Sequence, residues 1–264
     1  MLWQLRPGLI SGRGAIDGPS GGGGGLPSPP PGVTGLIGWW DSSVFSSLSL
    51  TGSSIDSIAD QSGAGNNLTA TVGTKPLYNA TGFNTSFPTM DFSNANNSGL
   101  TKAGFALGTG NTLTIFFVGH DSATFSQNNC RAMSYAGGTG GQADDHNNAS
   151  FFAGQVGTTI VMQLNRNGSL ASRTFGSNNA PHRFIGTIDS SGVMTVYVDG
   201  VATTGNTLNA AFGATGEFWL GQASVNHGNA EWHGVISEAG ISPNFTNSTD
   251  VATLDTWLKT KWGL

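Results

Sequence analysis

The feature that most constrains the fold of this 264-residue chain is the shortness of its apolar segments. After Val33 each segment soon meets a turn rich in Gly, Asn, Ser or Thr. This spacing is typical of a β-sandwich or barrel rather than of alternating strands and helices. Only 9% of the residues are charged, with three Glu and four Lys, too few to fill exposed helix faces. The chain is therefore predicted to be all-β.

Several strands can be placed from local patterns. Residues 113–118 form an apolar run that predicts a strand buried in part on both faces. Residues 184–188 and 193–198 predict a hairpin, and the Asp199-Gly200 pair that follows supplies the positive φ of a second tight turn. Met194, Val196 and Val198 share one face by the period of two. Further strands are predicted at residues 158–164, 217–220 and 232–241.

A helix is predicted at the C-terminus alone. Its apolar face, at three- and four-residue spacing, consists of Val251, Leu254, Trp257 and Leu258. Thr249 is the predicted N-cap, and Gly263 is the predicted stop. Lys259 and Lys261 stand near the negative end of the helix dipole. We expect this short helix to lie against the sandwich.

The first 32 residues differ in composition from the rest. Sixteen of them are Gly or Pro, which excludes a helix or a central strand and predicts an extended arm and linker before a domain at 33–264. The arm nevertheless carries apolar residues that a free tail would not expose. These predicted anchoring residues are Leu2, Trp3, Leu5, Leu9, Ile10 and Ile16. They dock either on another subunit or particle, which we favour, or on the chain's own domain.

Charge and cysteine content exclude several classes of protein. Cys130 is the single cysteine, so no intramolecular disulfide and no cysteine-based metal site is predicted, and a buried thiol is expected. The net charge of −5 includes no basic run, which argues against nucleic acid or a membrane as a partner. Residues 1–12 lack the apolar core of a signal peptide, and no later run is long enough to span a membrane.

Several motifs together resemble a known family. They are Leu-Ile-Gly-Trp-Trp-Asp at 36–41, Ile-Ala-Asp-Gln-Ser-Gly-Ala-Gly-Asn-Asn-Leu at 58–68, Pro-Thr-Met-Asp-Phe at 88–92, Val-Tyr-Val-Asp-Gly-Val at 196–201 and Trp-Leu-Lys-Thr-Lys-Trp-Gly-Leu at 257–264. Their order resembles that of concanavalin A-like lectin/glucanase domains of the laminin-G-like jelly-roll type, including phage members. The resemblance covers residues 33–264. It implies a two-sheet antiparallel jelly-roll sandwich used for carbohydrate or protein recognition, and in some members for glycoside hydrolysis.

The supply of carboxylates argues against an enzyme. Glycoside hydrolysis normally needs two carboxylates flanking the bond. The glucanase branch of the family carries a Glu-x-Asp-x-Glu strand, whereas Glu217, Glu231 and Glu238 are far apart in this sequence. Asp144 and Asp145 are adjacent and would point to opposite faces of a strand. We predict no catalytic residues, and a glycoside hydrolase ranks as the third candidate.

Metal sites have weak support in the sequence. His227, Glu231 and His233 lie close together, and we interpret them as a surface hydrogen-bonding group rather than as metal ligands. The family often binds Ca²⁺, but the loop at 93–97 offers mainly neutral Asn oxygens. Asp144, Asp145, Asn147 and Asn148 form the more oxygen-rich loop, although a solvated turn is the favoured explanation. No cofactor is predicted, and Ca²⁺ stays an alternative.

Sugar binding requires an exposed aromatic ring and polar groups that hold hydroxyls. The candidate carbohydrate-binding residues are Gln142, Asp144, Asp145, Asn147, His227, Asn229 and Trp232.

Taken with the resemblance, these features favour a virion-associated structural or interaction protein, a phage capsid decoration or a fibre component. It would be made in the host cytoplasm and held at the virion surface by residues 1–32. Its partners would be other virion proteins and surface glycans, and a homo-oligomer stays open. The alternative is a carbohydrate-binding adhesin module.

Overall fold

A computed structural model gives the fold of the chain. It describes residues 28–70, 74–93, 98–121, 130–137, 151–155, 161–166, 169–174, 180–207, 213, 215–222 and 232–264. The strands are β1 (Gly38–Asp41), β2 (Leu48–Thr51), β3 (Ser54–Ile58), β4 (Leu68–Ala70), β5 (Leu77–Phe83), β6 (Phe87–Asp91), β7 (Leu100–Phe105), β8 (Leu113–Asp121), β9 (Cys130–Gly137), β10 (Phe151–Gln155), β11 (Val161–Arg166), β12 (Ser169–Thr174), β13 (His182–Ile188), β14 (Val193–Val198), β15 (Val201–Thr207), β16 (Gly216–Leu220) and β17 (Gly234–Ser242). A short 3-10 turn spans Phe45–Ser47, and helix α1 spans Ser248–Lys261.

Strand pairing, antiparallel throughout, builds two layers. In sheet A, β1 and β6 both pair with β17, which continues into β8, β13, β14 and β15, while β5 lies beyond β6. Sheet B runs in the order β2, β3, β4, β7, β16, β9, β10, β11 and β12. The sheets meet at one edge, where Ser54 of β3 pairs with Leu77 of β5. The predicted two-sheet antiparallel sandwich with a C-terminal helix is therefore confirmed.

Side chains from the inner faces of both sheets form the first core layer. Trp40, Phe117 and Phe184 come from sheet A, and Phe218 and Leu220 come from sheet B. Met194, Val196 and Val198 of β14 also pack in this layer. This confirms the prediction that they share one face of the strand.

Helix α1 creates a second core layer on the outer face of sheet A. Val251, Leu254 and Leu258 of the helix are buried against Trp39 of β1 and Phe116 of β8. Because helix and sandwich cover opposite faces of sheet A, all of β17 and nearly all of β8 are buried. This confirms that the apolar run at 113–118 is a strand buried on both faces.

The ends of helix α1 differ in part from the prediction. Asn247, not Thr249, is the N-cap: its side-chain oxygen accepts hydrogen bonds from the backbone N–H groups of Thr249 at 3.0 Å and Asp250 at 3.1 Å. Both residue types cap helices well, so local sequence did not distinguish them. The predicted stop is confirmed, since Gly263 adopts a φ of 65° and Leu264 N–H donates to the Lys259 carbonyl at 2.9 Å.

Turn chemistry explains the predicted hairpin. The Asp189 side chain accepts hydrogen bonds from the backbone N–H groups of Ser191 and Val193, at 2.8 and 2.9 Å. Asp199 and Gly200 then join β14 to β15 with φ values of 52° and 80°, the positive values that such a tight turn requires. The strands predicted at 217–220 and 232–241 are observed as Gly216–Leu220 and Gly234–Ser242. The strand predicted at 158–164 is observed as Val161–Arg166, its start lying outside the described residues.

The described part of the chain enters the fold beside helix α1. Pro30 and Val33 are buried, and a Cβ atom on Gly32 would lie only 2.4 Å from the Asp250 carbonyl oxygen, so a side chain would have no room. The predicted anchoring residues lie outside the described residues: Leu2, Trp3, Leu5, Leu9, Ile10 and Ile16. The burial of the Cys130 side chain is likewise not described. Within the described ranges, no helix has the length and apolar character to cross a membrane.

The capping geometry predicts a difference between two neighbouring variants. Asn247→Ala removes an acceptor for two backbone N–H groups, so it should lower the free energy of unfolding by about 1 kcal/mol. Thr249→Ala should change it by less than about 0.5 kcal/mol, because no cap is lost. Urea denaturation of both variants checks this, and equal effects would contradict the assignment of the cap.

Candidate functional site

The Trp-Trp-Asp motif joins the two core layers. Successive residues of a strand point to opposite faces. Trp39 therefore packs in the second core layer under helix α1, while Trp40 packs in the first core layer, stacked on Phe218 with ring centroids 4.8 Å apart.

The loop at 60–67 holds β1 in place. One Asp60 oxygen accepts from the Trp39 backbone N–H and the other from the Asn66 backbone N–H, both at 2.9 Å. The Asn66 side chain donates to the Ile37 carbonyl at 2.6 Å, and its own carbonyl accepts from the Trp40 indole at 3.0 Å. Two of the sequence motifs are thus parts of one structural unit.

A polar cluster lies under the end of helix α1. We call Trp39, Asp41, Glu238, Lys261 and Trp262 the Glu238 cluster. One oxygen of Glu238 accepts from the Trp39 indole at 2.6 Å. The other accepts from the Trp262 indole at 2.6 Å and from the Lys261 ammonium at 2.8 Å. Every hydrogen bond to this fully buried carboxylate therefore comes from β1 or from the end of the helix.

Asp41 completes the cluster. It lies directly opposite Glu238 in the pairing of β1 with β17, an arrangement of like charges that is unfavourable alone. Lys261 offsets it, since its ammonium also donates to Oδ2 of Asp41 at 2.6 Å. The other oxygen, Oδ1, accepts from the backbone N–H and the hydroxyl of Ser43, at 2.8 and 2.6 Å.

Aromatic rings surround the Lys261 ammonium. It lies 4.6 Å from the ring centroid of Trp257, 5.2 Å from that of Trp262 and 5.6 Å from that of Trp39. Such cation–π contacts favour the charged form of lysine where water is excluded. The cluster joins the first strand, the last strand and the last turn of the helix.

The environment changes the acid-base properties of this cluster. Complete burial raises the pKa of Glu238 to about 7; Lys261 opposes this rise and the charge of Asp41 adds to it. Burial also opposes the charged form of Lys261, but the carboxylates of Glu238 and Asp41 outweigh it and hold the pKa of this ammonium above its ordinary value.

The outer face of sheet B is a different kind of surface. Six residues follow one another in register across β2, β3, β4, β7, β16 and β9, and we call them the outer row: Ser49, Ser57, Thr69, Thr101, Trp219 and Ser134. Each has at least one apolar strand neighbour in or against the first core layer, as Trp219 has Phe218 and Leu220, so the outer row points away from the core. Five of the six carry a hydroxyl group, and none is charged.

Trp219 is the aromatic residue of the outer row. It is only 2% exposed, and its indole N–H has no hydrogen-bond partner in the described part of the chain. A buried donor without an acceptor costs about 1–3 kcal/mol. On one side of Trp219, the Thr101 hydroxyl donates to the Phe218 carbonyl at 2.9 Å, and on the other the Ser134 hydroxyl donates to the Gln222 carbonyl at 3.0 Å.

Only one of the seven residues predicted to bind carbohydrate lies among the described residues. Six of them lie outside the described residues: Gln142, Asp144, Asp145, Asn147, His227 and Asn229. The seventh, Trp232, has no exposed surface and packs edge-to-face on Phe117 with ring centroids 5.8 Å apart. The prediction that Trp232 is an exposed stacking ring is therefore wrong, because its side chain packs in the first core layer.

Most of the candidate metal ligands also lie outside the described residues. Asp144, Asp145, Asn147 and Asn148, proposed for Ca²⁺, lie outside the described residues, as do His227 and Glu231. Across the described ranges, no three His, Cys, Asp or Glu side chains form a group that could hold a metal ion.

Sequence reasoning missed both the Glu238 cluster and the outer row. The motifs at 36–41 and 257–264 contain Asp41 and Lys261, so they carried a signal for the cluster. Glu238 is isolated from other acidic residues in the sequence, whereas strand pairing places it opposite Asp41. The outer row has no sequence signal, since it depends on the register of six strands.

Comparison with known proteins supports the fold. No protein-family model and no curated protein matches the chain. Among solved structures, domain 4 of an extracellular arabinanase from Geobacillus stearothermophilus, in complex with arabinotriose, is similar at 14% identity with a TM-score of 0.57, covering 84% of this chain and 98% of that one. The botulinum neurotoxin serotype G binding domain is similar at 17% identity and a TM-score of 0.56, covering 85% of this chain and 51% of that one.

A Trypanosoma rangeli sialidase is also similar, at 13% identity with a TM-score of 0.52. The match covers 94% of this chain but only 36% of the sialidase, so the chain spans about a third of that enzyme. At these identities the likeness shows the fold alone. The chain is a jelly-roll-like antiparallel β-sandwich with a C-terminal helix.

The raised pKa of Glu238 predicts a pH-dependent stability. Because the folded pKa of about 7 exceeds the ordinary value of 4.5, the folded chain holds this proton more tightly than the unfolded chain does. The contribution is complete below pH 4.5 and is lost as the pH rises through 7. The stability of the natural chain relative to Glu238→Gln should fall by on the order of 3 kcal/mol between pH 4.5 and 8.

Urea denaturation of both chains across this pH range measures the difference. Gln cannot ionise, so it removes this dependence while keeping a side chain of similar size. A difference in unfolding free energy that stays constant with pH would contradict the raised pKa.

Proposed function

We propose that this domain is a non-catalytic carbohydrate-binding module that binds a glycan on the outer face of sheet B. The observation that carries the proposal is the outer row, an uncharged line of five hydroxyl side chains and Trp219 across six strands. Helix α1 occupies the outer face of sheet A over β1, β17, β8 and β13. No described helix covers the outer face of sheet B, where the outer row is accessible on β2, β3, β4 and β7.

The chemistry of the outer row suits a neutral sugar chain. Neighbouring strands lie about 4.8 Å apart, so the outer row offers a polar group at intervals close to the length of one sugar residue. Ser49 and Thr69 are exposed, and Ser57 and Thr101 are half-buried. Trp219 and Ser134 are buried, so the part of the outer row that a glycan can reach is formed by Ser49, Ser57, Thr69 and Thr101.

The burial of two carboxylates favours a binding role over hydrolysis. Strand pairing brings Asp41 and Glu238 face to face. Both side chains are buried, and both accept hydrogen bonds from Lys261. A glycosidase needs its two carboxyl groups on either side of an accessible bond. The likeness to an arabinanase domain whose structure contains arabinotriose further supports a binding module.

Two substitutions in the outer row test this proposal. Ser57→Ala removes one half-buried hydroxyl from the accessible part of the outer row, so it should weaken glycan binding by up to about tenfold, the value of one hydrogen bond. Thr69→Glu places a charge on the exposed middle of the outer row and should weaken binding by about tenfold or more. Binding of neutral oligosaccharides is first screened on an array and then measured by titration calorimetry.

Thr256→Glu is the matched control, because Thr256 is exposed on helix α1, on the opposite side of the sandwich. It should bind as the unsubstituted chain does. A natural chain that binds no sugar on the array, or equal affinity in Thr69→Glu and Thr256→Glu, would argue against the outer row as a glycan site.

A second candidate function is display of the domain on a virion. It is favoured by the place where the chain preceding the domain reaches the sandwich. Gly32 lies against Asp250 at the start of helix α1, on the sheet A side of the sandwich. An arm that anchors the preceding residues would therefore leave the outer face of sheet B directed away from the anchor. This arrangement suits a capsid decoration or a fibre component that presents a binding surface.

Deletion of residues 1–27 tests the anchoring role. Pro30 and Val33 are kept because they are buried, so the shortened chain should have an unchanged unfolding midpoint. In co-sedimentation with phage particles from the source lysate, it should lose the association that the full chain shows. Equal sedimentation of both chains would refute anchoring through this segment.

A further inference from the structure

The Glu238 cluster contains the parts needed for a covalent cross-link. We propose that Lys261 and Asp41 form an intramolecular isopeptide bond, with Glu238 carrying protons between them. This bond would join the first strand of the sandwich to the last turn of its C-terminal helix, and it does not depend on any ligand.

The reacting groups are already in contact. The Lys261 nitrogen lies 2.6 Å from Oδ2 of Asp41, which brings it close to the carboxyl carbon that it would attack. Groups held together by a fold gain a large advantage over the same groups in solution when the reacting atoms stand about 3–3.5 Å apart. The position of Lys261 is restricted by the three tryptophan rings around it.

The atoms and charges of the reaction balance without another reactant. The ammonium of Lys261 and the carboxylate of Asp41 become one amide and one water molecule. Two of the three ammonium protons leave with Oδ2, and the third stays on the amide nitrogen. The new bond joins the Lys261 nitrogen to the Asp41 carboxyl carbon, and the bond that breaks joins this carbon to Oδ2.

Glu238 is placed to move those protons. Its Oε2 accepts a hydrogen bond from the Lys261 ammonium at 2.8 Å, so it can take one proton and leave a neutral amine able to attack. It then delivers the proton to the departing oxygen and returns to its first state. Burial, which raises the pKa of Glu238 to about 7, makes this temporary protonation easier.

Ser43 supports the remaining oxygen of Asp41. Its backbone N–H and its hydroxyl both donate to Oδ1, which would carry the negative charge of the tetrahedral intermediate and become the amide oxygen. Two donors aimed at a developing oxyanion are a common means of lowering such a barrier. Burial of Asp41 and Glu238 also excludes the bulk water that would reverse the reaction.

Mass spectrometry of the full, denatured chain tests the proposal. The natural chain should be lighter than its sequence requires by the mass of one water molecule. Lys261→Arg is the matched control: it keeps a positive charge beside both carboxylates but cannot form this amide, so it should lose no water. Glu238→Gln should also keep its full mass, because it lacks the proton carrier.

Peptide mapping makes the result independent of how the variants fold. Trypsin should fail to cleave after Lys261, and the peptide holding this residue should be recovered as a branch on the peptide that contains Asp41. A natural chain of full sequence mass, or a loss of water that persists in Lys261→Arg, would overturn the cross-link and leave the cluster as a network of ion pairs.

Discussion

Burial of the Glu238 carboxylate is the constraint on which the arrangement of the layers depends. An isolated buried charge is unfavourable by several kcal/mol, so each of its oxygens must be satisfied. The donors come from Trp39 on the first strand and from Lys261 and Trp262 at the end of the helix. The Glu238 side chain therefore connects β1 with the end of helix α1. These hydrogen bonds fix the position of the helix on sheet A, where it completes the second core layer.

This docking also decides which surface of the sandwich stays available. The helix covers much of the outer face of sheet A, and chain entry at Gly32 lies on the same side. The outer row is on the opposite side, in sheet B. In the proposed function, this arrangement would separate attachment from recognition by the thickness of the sandwich.

Local patterns predicted more of the fold than of the site. Alternation in β14, the turns at Asp189 and Asp199, and the apolar face of helix α1 depend on neighbours within a few residues, and all were confirmed. Trp232 was assigned to the wrong environment, because its burial depends on the distant Phe117. A tryptophan beside polar loop residues looks exposed in sequence until packing places it.

The sequence by itself determined the class of fold and the terminal helix, since the period of apolar residues and the chemistry of turns are local properties. Tertiary structure alone decided that Asp41, Glu238 and Lys261 meet, although Asp41 and Lys261 are 220 residues apart in sequence. It also decided that five hydroxyl side chains and Trp219, from six strands, form one outer row. Strand register places Asp41 opposite Glu238 and aligns the outer row, and docking of helix α1 brings Lys261 to both carboxylates. These contacts join residues that are distant in sequence, so no pattern among near neighbours predicts them.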